Sequence, residues 1–270
     1  MNIAEKLTAI AENEQRVYGA GYMHGSNDGY VKGEQNGYAF GFDEGKKSEY
    51  DAFWDVFQSN GNLTSYNYAF AYGKFNDDTF RPKYDIVPTS ANYMFSYNNT
   101  ENVGTTARDC ITDFVGCLNR AGVILDTSNT TDMNNMFYFA RNIRHIPTIS
   151  FEACNKVEAV FYGCIRLETI DKVIFKADGT NEIANETYNL LFGQCIELRN
   201  LTVDGIIGTS VNMWQCPLSK DSITSVINAL SSTASGKTLT LNKTAKEAAF
   251  TSSEWNALIS TKSNWTITLA

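Results

Sequence analysis

The residue types that serve as metal ligands and as catalytic acids or bases are few and widely spaced in this sequence. The 270-residue chain has two histidines, His24 and His145, and neither has a partner at metal-binding spacing. Zinc sites use closely spaced cysteines, whereas the closest pair here, Cys110 and Cys117, is separated by seven positions. The sequence therefore predicts no metal centre and no bound cofactor. The six cysteines, expected to be reduced and buried, are Cys110, Cys117, Cys154, Cys164, Cys195 and Cys216.

Two further stretches imitate functional motifs without completing them. Residues 235–238, SGKT, end like a phosphate-binding loop, but Ser231 occupies the place of its leading glycine and a strand is expected to follow. Residues 76–78, NDD, lack the spaced acidic residues of a calcium loop and are expected to form a polar turn. Scattered carboxylates leave a glycosidase pair open as an alternative, although no spacing supports one. The chain is therefore expected not to be an enzyme.

The charge and the apolar pattern exclude two kinds of partner. Asp and Glu total 30 against 22 for Lys and Arg, which gives a net charge of −8. Nucleic-acid binding requires a basic surface, so no nucleic-acid partner is expected. The first residues form no apolar signal segment, and no apolar run approaches the roughly 18 residues of a membrane span. Neither a secretory signal nor membrane insertion is expected.

The N-terminal region, residues 1–58, is predicted to be a helical region for attachment and oligomerisation. Its first apolar residues have the a/d spacing of about two heptads, which indicates a short oligomerising stalk. Because isolated short helices are marginally stable, the alternative is one amphipathic helix docked on its own domain. The residues concerned are Ile3, Leu7, Ile10 and Val17.

A glycine occupies every fourth position between residues 21 and 45. Each glycine inside a helix costs roughly 0.8–1 kcal/mol, so the stripe implies compensation by close packing against another helix. A period above 3.6 predicts right-handed winding, and the alternative is a flexible spacer. We expect a homo-oligomer, with a trimer as the guessed state. The stripe consists of Gly21, Gly25, Gly29, Gly33, Gly37, Gly41 and Gly45.

The motif Phe-x-x-Cys recurs at residues 114–117, 161–164 and 192–195, with weaker variants at 94–97 and 136–140. The phenylalanines of the series are 19 to 31 residues apart, a range typical of leucine-rich-repeat solenoids. One coil cannot bury its own apolar face. Stacked coils are therefore expected to align the phenylalanines and cysteines in a shared core.

Residues 126–138, DTSNTTDMNNMFY, resemble the DTSN-x-T-x-M-x-x-MF signature of BspA-like leucine-rich-repeat proteins. The resemblance implies an α+β repeat fold, in which a leucine-rich-repeat solenoid spans residues 91–217. The tail also resembles the usual ending of the family, a C-terminal αβαβ cap at 218–270. Short apolar alternations between residues 62 and about 90 separately suggest strands, and we predict a solenoid cap at 59–90 that follows the glycine-striped helical stalk. Similar proteins occur as bacterial surface adhesins and as products of phage tail-module genes.

Three tyrosines are the candidate binding residues. Neighbouring side chains of an extended segment point to opposite faces, so a tyrosine beside a buried phenylalanine is expected to face outward. Tyr97, Tyr138 and Tyr162 are thus predicted to form an aromatic row, suited to stacking on a host-surface glycan or docking on a protein. The alternative is that loops cover scattered tyrosines.

The preferred functional expectation is an adhesion protein of a phage virion, at the tail tip or baseplate. It would be assembled in the bacterial cytoplasm, attach to other tail proteins through its N-terminal helices and recognise the host surface with its solenoid. One alternative is a bacterial cell-surface adhesin. The other is a purely structural virion subunit that packs on its neighbours.

Overall fold

The computed structural model describes most of the chain after residue 64. The described ranges, all within the unit Asn62–Ala270, are residues 65–67, 69–71, 75–78, 80–97, 110–183 and 191–270. The predictions for the N-terminal region lie outside the described residues and stay predictions. They concern Ile3, Leu7, Ile10, Val17, Gly21, Gly25, Gly29, Gly33, Gly37, Gly41 and Gly45.

Short strands and four helices make up the regular structure of the described residues. The helices are α1 (Phe114–Ala121), α2 (Lys220–Ala229), α3 (Lys243–Ala249) and α4 (Ser252–Ser260). The strands are β1 (His145–Ile146), β2 (Ile149–Ser150), β3 (Lys156–Val157), β4 (Thr169–Ile174), β5 (Glu182–Ile183), β6 (Asn200–Asp204), β7 (Val211–Met213), β8 (Lys237–Leu241) and β9 (Trp265–Leu269). In the described part of the chain, no helix is long and apolar enough to cross a membrane.

The strands pair in parallel and form three separate sheets. In the first sheet, β1 and β2 pair with successive parts of one side of β4, and β6 pairs with β4 as well. The second sheet contains β3 and β5, and the third has the order β7-β8-β9. Parallel neighbours are joined here by long crossover segments, because parallel strands cannot be connected by a tight hairpin.

The predicted leucine-rich-repeat solenoid is wrong. Such a solenoid requires one sheet to which every repeat adds a strand, whereas these strands belong to three small sheets of four, two and three strands. The physical reason is that the repeated segments have unequal lengths. Their strands therefore do not all arrive at the edge of the same sheet. Even the pairing between the longer strands β4 and β6 loses its register between Ile170 and Val173.

The predicted αβαβ arrangement of residues 218–270 also needs correction, because the expected second helix is two helices. Thr251 caps the start of α4: its side chain accepts a hydrogen bond from the backbone of Glu254, whose carboxylate accepts one from the Thr251 backbone in return. This reciprocal capping favours a new helix start over continuation of α3. In addition, β8 pairs with β7, so the terminal strands continue a sheet that begins before residue 218.

The core contains a stack of phenylalanine rings from successive segments. Phe70 lies 5.1 Å from Phe95, Phe95 lies 5.2 Å from Phe137, and the two pairs are stacked. The series continues through Phe161, 6.0 Å from Phe137, to Phe192, 5.4 Å further on. Each ring is at most 3% exposed, which confirms the predicted burial of Phe95, Phe137, Phe161 and Phe192. Phe114, the remaining phenylalanine of the motif, is buried as well but meets Phe95 edge-on at 4.7 Å, and Phe70 joins the stack without having been predicted.

The cysteines of the repeated motif contact the same stack. The Cys164 thiol donates to the carbonyl oxygen of Phe137 at 3.1 Å, and the Cys195 thiol donates to that of Phe161 at 3.1 Å. All six cysteines are buried thiols, as predicted. Burial raises the pKa of Cys195 to about 12, so it stays protonated and does not act as a nucleophile at neutral pH.

The carboxylate of Glu254 makes the stability of the folded protein depend on pH. It accepts hydrogen bonds from Lys220 Nζ at 2.8 Å and from the Thr251 amide at 2.9 Å, and together these lower the pKa of Glu254 from 4.5 to about 2. Because the folded-state pKa is the lower one, this stabilisation is complete above the unfolded value of 4.5 and is lost as the pH falls towards 2.

We therefore expect Glu254→Gln to lower the thermal unfolding midpoint at neutral pH. The difference from wild type should shrink as the pH falls from 4.5 to 2, measured by circular dichroism. Glu247→Gln, an exposed position on α3, serves as the control for removing a surface carboxylate. A Glu254→Gln effect that did not change with pH would contradict the assignment.

Candidate binding surface

Two side chains with potential chemistry, Asp77 and His145, each contact a neighbouring segment. Asp77 accepts hydrogen bonds from the backbone amides of Thr112 at 2.7 Å and Asp113 at 3.0 Å, so its carboxylate anchors the start of α1. His145 Nε2 lies 2.6 Å from Asp171 Oδ1 on the polar face of the first sheet. Within the described residues, no three His, Cys, Asp or Glu side chains are grouped to hold a metal ion. Residues 235 and 236 lead into strand β8 rather than a helix, as predicted.

The three predicted binding residues lie side by side. The ring centroids of Tyr97 and Tyr138 are 5.6 Å apart in an edge-to-face arrangement. Those of Tyr138 and Tyr162 are 5.5 Å apart with the planes within 18°, so these two rings stack. Each of the three tyrosines is partly exposed. Their placement makes a continuous aromatic row, and whether it binds a ligand remains a prediction.

Two further aromatic residues belong to this surface and were missed by sequence reasoning. Phe139 stacks on Tyr97 at 5.9 Å and meets Tyr162 edge-on at 5.5 Å. Tyr93 lies 6.3 Å from Tyr138. We call the group of Tyr93, Tyr97, Tyr138, Phe139 and Tyr162 the aromatic strip.

Backbone conformation explains why Phe139 joins the strip. Strict alternation would place Phe139 on the same face as buried Phe137, but Phe139 has φ of 55°, in the left-handed region. Left-handed backbone costs a residue with a side chain roughly 1–2 kcal/mol, and it ends the extended alternation. Tyr97, Phe139 and Gln194 all adopt it, each two residues after a phenylalanine of the repeated motif. The sequence argument assumed strictly alternating side chains, so it did not allow for a left-handed residue that recurs at this position of the repeated motif.

Hydrogen bonds between successive turns hold the strip in register. The Tyr97 amide donates to the Tyr138 carbonyl at 2.7 Å, and the Phe139 amide donates to the Tyr162 carbonyl at 2.7 Å. Gly163 is the next residue of this series, with φ of 79°, and a Cβ there would lie 2.8 Å from the Phe139 ring. The glycine therefore provides the space in which the Phe139 ring packs against the next turn.

The strip carries little charge. Burial, and then the neighbouring Tyr162, raise the pKa of Tyr138, so its phenol stays neutral and can donate a hydrogen bond. The Arg141 guanidinium lies 4.9 Å from the Phe139 ring centroid, a cation–π contact that places one positive charge at the margin. The surface thus combines apolar ring faces with neutral polar tips.

The chemistry of such a surface is suited to binding. Ring faces stack on apolar or C–H surfaces, and phenolic hydroxyls donate and accept hydrogen bonds. No protein-family model matches the chain, and neither a curated protein nor a solved structure matches it.

Proposed function

We propose that this chain is an adhesion protein that recognises a cell-surface carbohydrate through the aromatic strip. The observation that carries the proposal is the row of partly exposed rings from Tyr97 through Tyr138 to Tyr162, with adjacent centroids 5.6 and 5.5 Å apart. The C–H face of a sugar ring is apolar, and its edge carries hydroxyls. It is therefore complementary to rings with polar tips.

The fixed backbone conformation of the aromatic strip supports a role in binding. Two hydrogen bonds of 2.7 Å hold the backbone of Tyr97 and Phe139 against the next turns, so the rings are preorganised. Preorganised side chains lose less conformational entropy when a ligand binds. Left-handed backbone at Tyr97 and Phe139 is the kind of strain that occurs at functional sites.

We further propose that the protein belongs to a phage virion, at the tail tip or baseplate. The support comes from the sequence: the resemblance of residues 126–138 to proteins of phage tail modules, and the glycine stripe of residues 21–45, which implies a packing partner. In this proposal residues 1–58 attach the subunit to other tail proteins as a homo-oligomer. Mass spectrometry of purified virions, with copy counting, tests the location.

The binding proposal is tested with the full-length chain, fluorescently labelled, on a panel of bacterial strains and their purified envelope polysaccharides. Tyr138→Ala removes the ring at the centre of the strip and should weaken binding by at least roughly tenfold, which corresponds to about 1.4 kcal/mol. Tyr84→Ala, at a tyrosine 59% exposed outside the strip, is the matched control and should bind like wild type.

The other outcomes distinguish the alternatives. Equal binding by wild type and Tyr138→Ala would refute the strip as the recognition surface. Absence of binding to every strain and polysaccharide, in a protein present in virions, would favour a purely structural subunit. Detection on the surface of bacteria free of prophage would instead favour a bacterial adhesin.

A further inference from the structure

Strand β9 forms one edge of the third sheet. It pairs along its whole length with β8, and no other strand of the described residues pairs with its outer side. An edge strand presents a row of unpaired backbone N–H and C=O groups, to which another strand can bind. The outer side of β9 is therefore a surface on which a further strand fits.

The hydrogen bonds to β8 define which backbone groups of β9 face outward. The Ala270 amide donates to the Leu241 carbonyl at 3.0 Å, and the Ala270 carbonyl accepts from the Lys243 amide at 3.0 Å. Both backbone groups of a strand residue point to the same side, and successive residues alternate. Ile267 and Leu269, at odd spacing from Ala270, therefore point their N–H and C=O groups away from β8.

The chain covers the corresponding edge of the first sheet. On β6 the amides of Leu201 and Val203 donate to the hydroxyls of Ser222 and Ser225 on α2, at 2.8 and 2.9 Å. Among the residues that the structure describes, no side chain binds the outer backbone groups of β9 in this way. The two edges thus differ, because one is covered by a helix and the other is left open.

Strand β9 also lacks the features that usually prevent an edge strand from pairing, which are charged side chains, proline and bulges. Residues 264–270, NWTITLA, contain neither a charged residue nor a proline, and the register of β9 on β8 has no shift. The chain as a whole has a net charge of −8. A neutral edge allows two copies to approach each other without contact between like charges.

We propose that β9 pairs with β9 of a second copy of this chain, antiparallel and about a twofold axis at Ile267. In this register Ile267 of each copy exchanges both hydrogen bonds with Ile267 of the other, and each Leu269 amide donates to a Trp265 carbonyl. The Trp265 amide is not required, because it already donates to the Lys262 carbonyl at 2.9 Å. The third sheets of the two copies then form one continuous sheet.

Symmetry favours the antiparallel arrangement over a parallel one. In a parallel pair each outward residue lies opposite an inward one, which shifts the two strands by one residue. A twofold axis between identical strands cannot produce that shift, whereas closed twofold contacts are the commonest in homo-oligomers. The proposed contact involves neither residues 1–58 nor the aromatic strip.

The register specifies which side chains meet across the contact. Thr266 and Thr268 are both exposed on β9. Thr266 of one copy lies opposite Thr268 of the other in a non-hydrogen-bonded pair, with Cα atoms about 4.5 Å apart. Identical positions are diagonal neighbours, about 7–8 Å apart. A disulfide requires a Cα separation of about 4.4–6.8 Å, so it should form between positions 266 and 268 only.

The test is oxidative cross-linking of two full-length variants, Thr266→Cys and Thr268→Cys, analysed by non-reducing gel electrophoresis. Co-expressed, they should form a disulfide-linked dimer, and either variant alone should cross-link at least roughly tenfold more slowly because its cysteines lie too far apart. All six native cysteines are buried, which keeps the background low. Thr202→Cys, at an exposed position of β6, replaces Thr268→Cys as the control for chance collision and should give no dimer.

A further variant removes the central hydrogen bonds of the contact. Ile267→Pro, added to both cysteine variants, removes an outward amide that takes no part in the pairing with β8, and proline is tolerated at such edge positions. The cross-link should be lost while the circular dichroism melting curve stays close to that of the wild type. If Ile267→Pro does not fold, the comparison of the cysteine pairs decides by itself.

Two results would overturn this inference. Equal cross-linking by the co-expressed pair, by one variant alone and by the Thr202→Cys control would indicate chance collisions instead of this register. Absence of the mixed dimer in folded variants would mean that another segment or another protein covers the edge. Neither result changes the carbohydrate proposal, which is tested separately with Tyr138→Ala.

Discussion

Gly205→Ala is expected to destabilise the protein more than any other substitution considered, by about 4 kcal/mol or more. Gly205 follows β6 with φ of 74°, a left-handed conformation that costs a residue with a side chain roughly 1–2 kcal/mol. In addition, a Cβ at this position would lie 2.0 Å from the backbone carbonyl oxygen of Phe175. Backbone cannot rotate away as a flexible side chain can, so the end of β4 would have to separate from β6.

Gly236→Ala separates these two contributions to the free energy of unfolding. Gly236 has φ of 66°, but nothing lies within 4 Å of a Cβ built there. Its replacement should therefore cost only the conformational part, roughly 1–2 kcal/mol. Urea denaturation of both variants measures the difference. Equal losses would show that the contact with Phe175 is not rigid.

Asn181→Ala is expected to cost about 2–4 kcal/mol. Asn181 is 2% exposed, and its amide donates to the carbonyl oxygens of Phe151 at 2.9 Å and Cys154 at 2.8 Å. Its Oδ1 accepts from the Lys176 amide at 2.7 Å. The Phe151 carbonyl keeps a second donor, the Cys154 amide at 3.0 Å, but the other two backbone groups would lose a partner inside the protein.

Asn200→Ala is the matched control for Asn181→Ala. Asn200 lies on β6, is exposed and donates one hydrogen bond of 3.3 Å to the Thr169 hydroxyl. Its loss should change the free energy of unfolding by less than about 0.5 kcal/mol. Asn181→Asp should also destabilise strongly at neutral pH, because an oxygen then faces two carbonyl oxygens. A small effect of either Asn181 variant would mean that water replaces the side chain.

The candidate binding surface was only partly predictable. Comparing the repeated motifs was enough to select Tyr138 and Tyr162, which directly follow a buried phenylalanine, and Tyr97, which lies two residues after Phe95. Phe139 was missed because its left-handed φ is a backbone property with no side-chain pattern of its own.

The architecture was predicted less well than the core. Burial of Phe137 and Phe161, and of the cysteines that follow the motif, agrees with the repeat. Among the described residues no continuous solenoid sheet forms, because sheet assembly depends on pairing between distant strands. The repeated segments differ in length, so their strands do not pair one after another in a single sheet. Instead β1 and β2 both pair with β4, and β3 pairs with β5 outside the first sheet.

The amino-acid sequence by itself therefore determined local and periodic features. These are the burial of the aromatic rings and thiols and the recurrence of the motif. Apolar character and spacing carry that information, because burial of apolar surface is the dominant favourable term in folding. Which strands pair and where Phe139 points were decided by tertiary structure. These features depend on hydrogen bonds and contacts between residues far apart in the chain, and no local pattern encodes them.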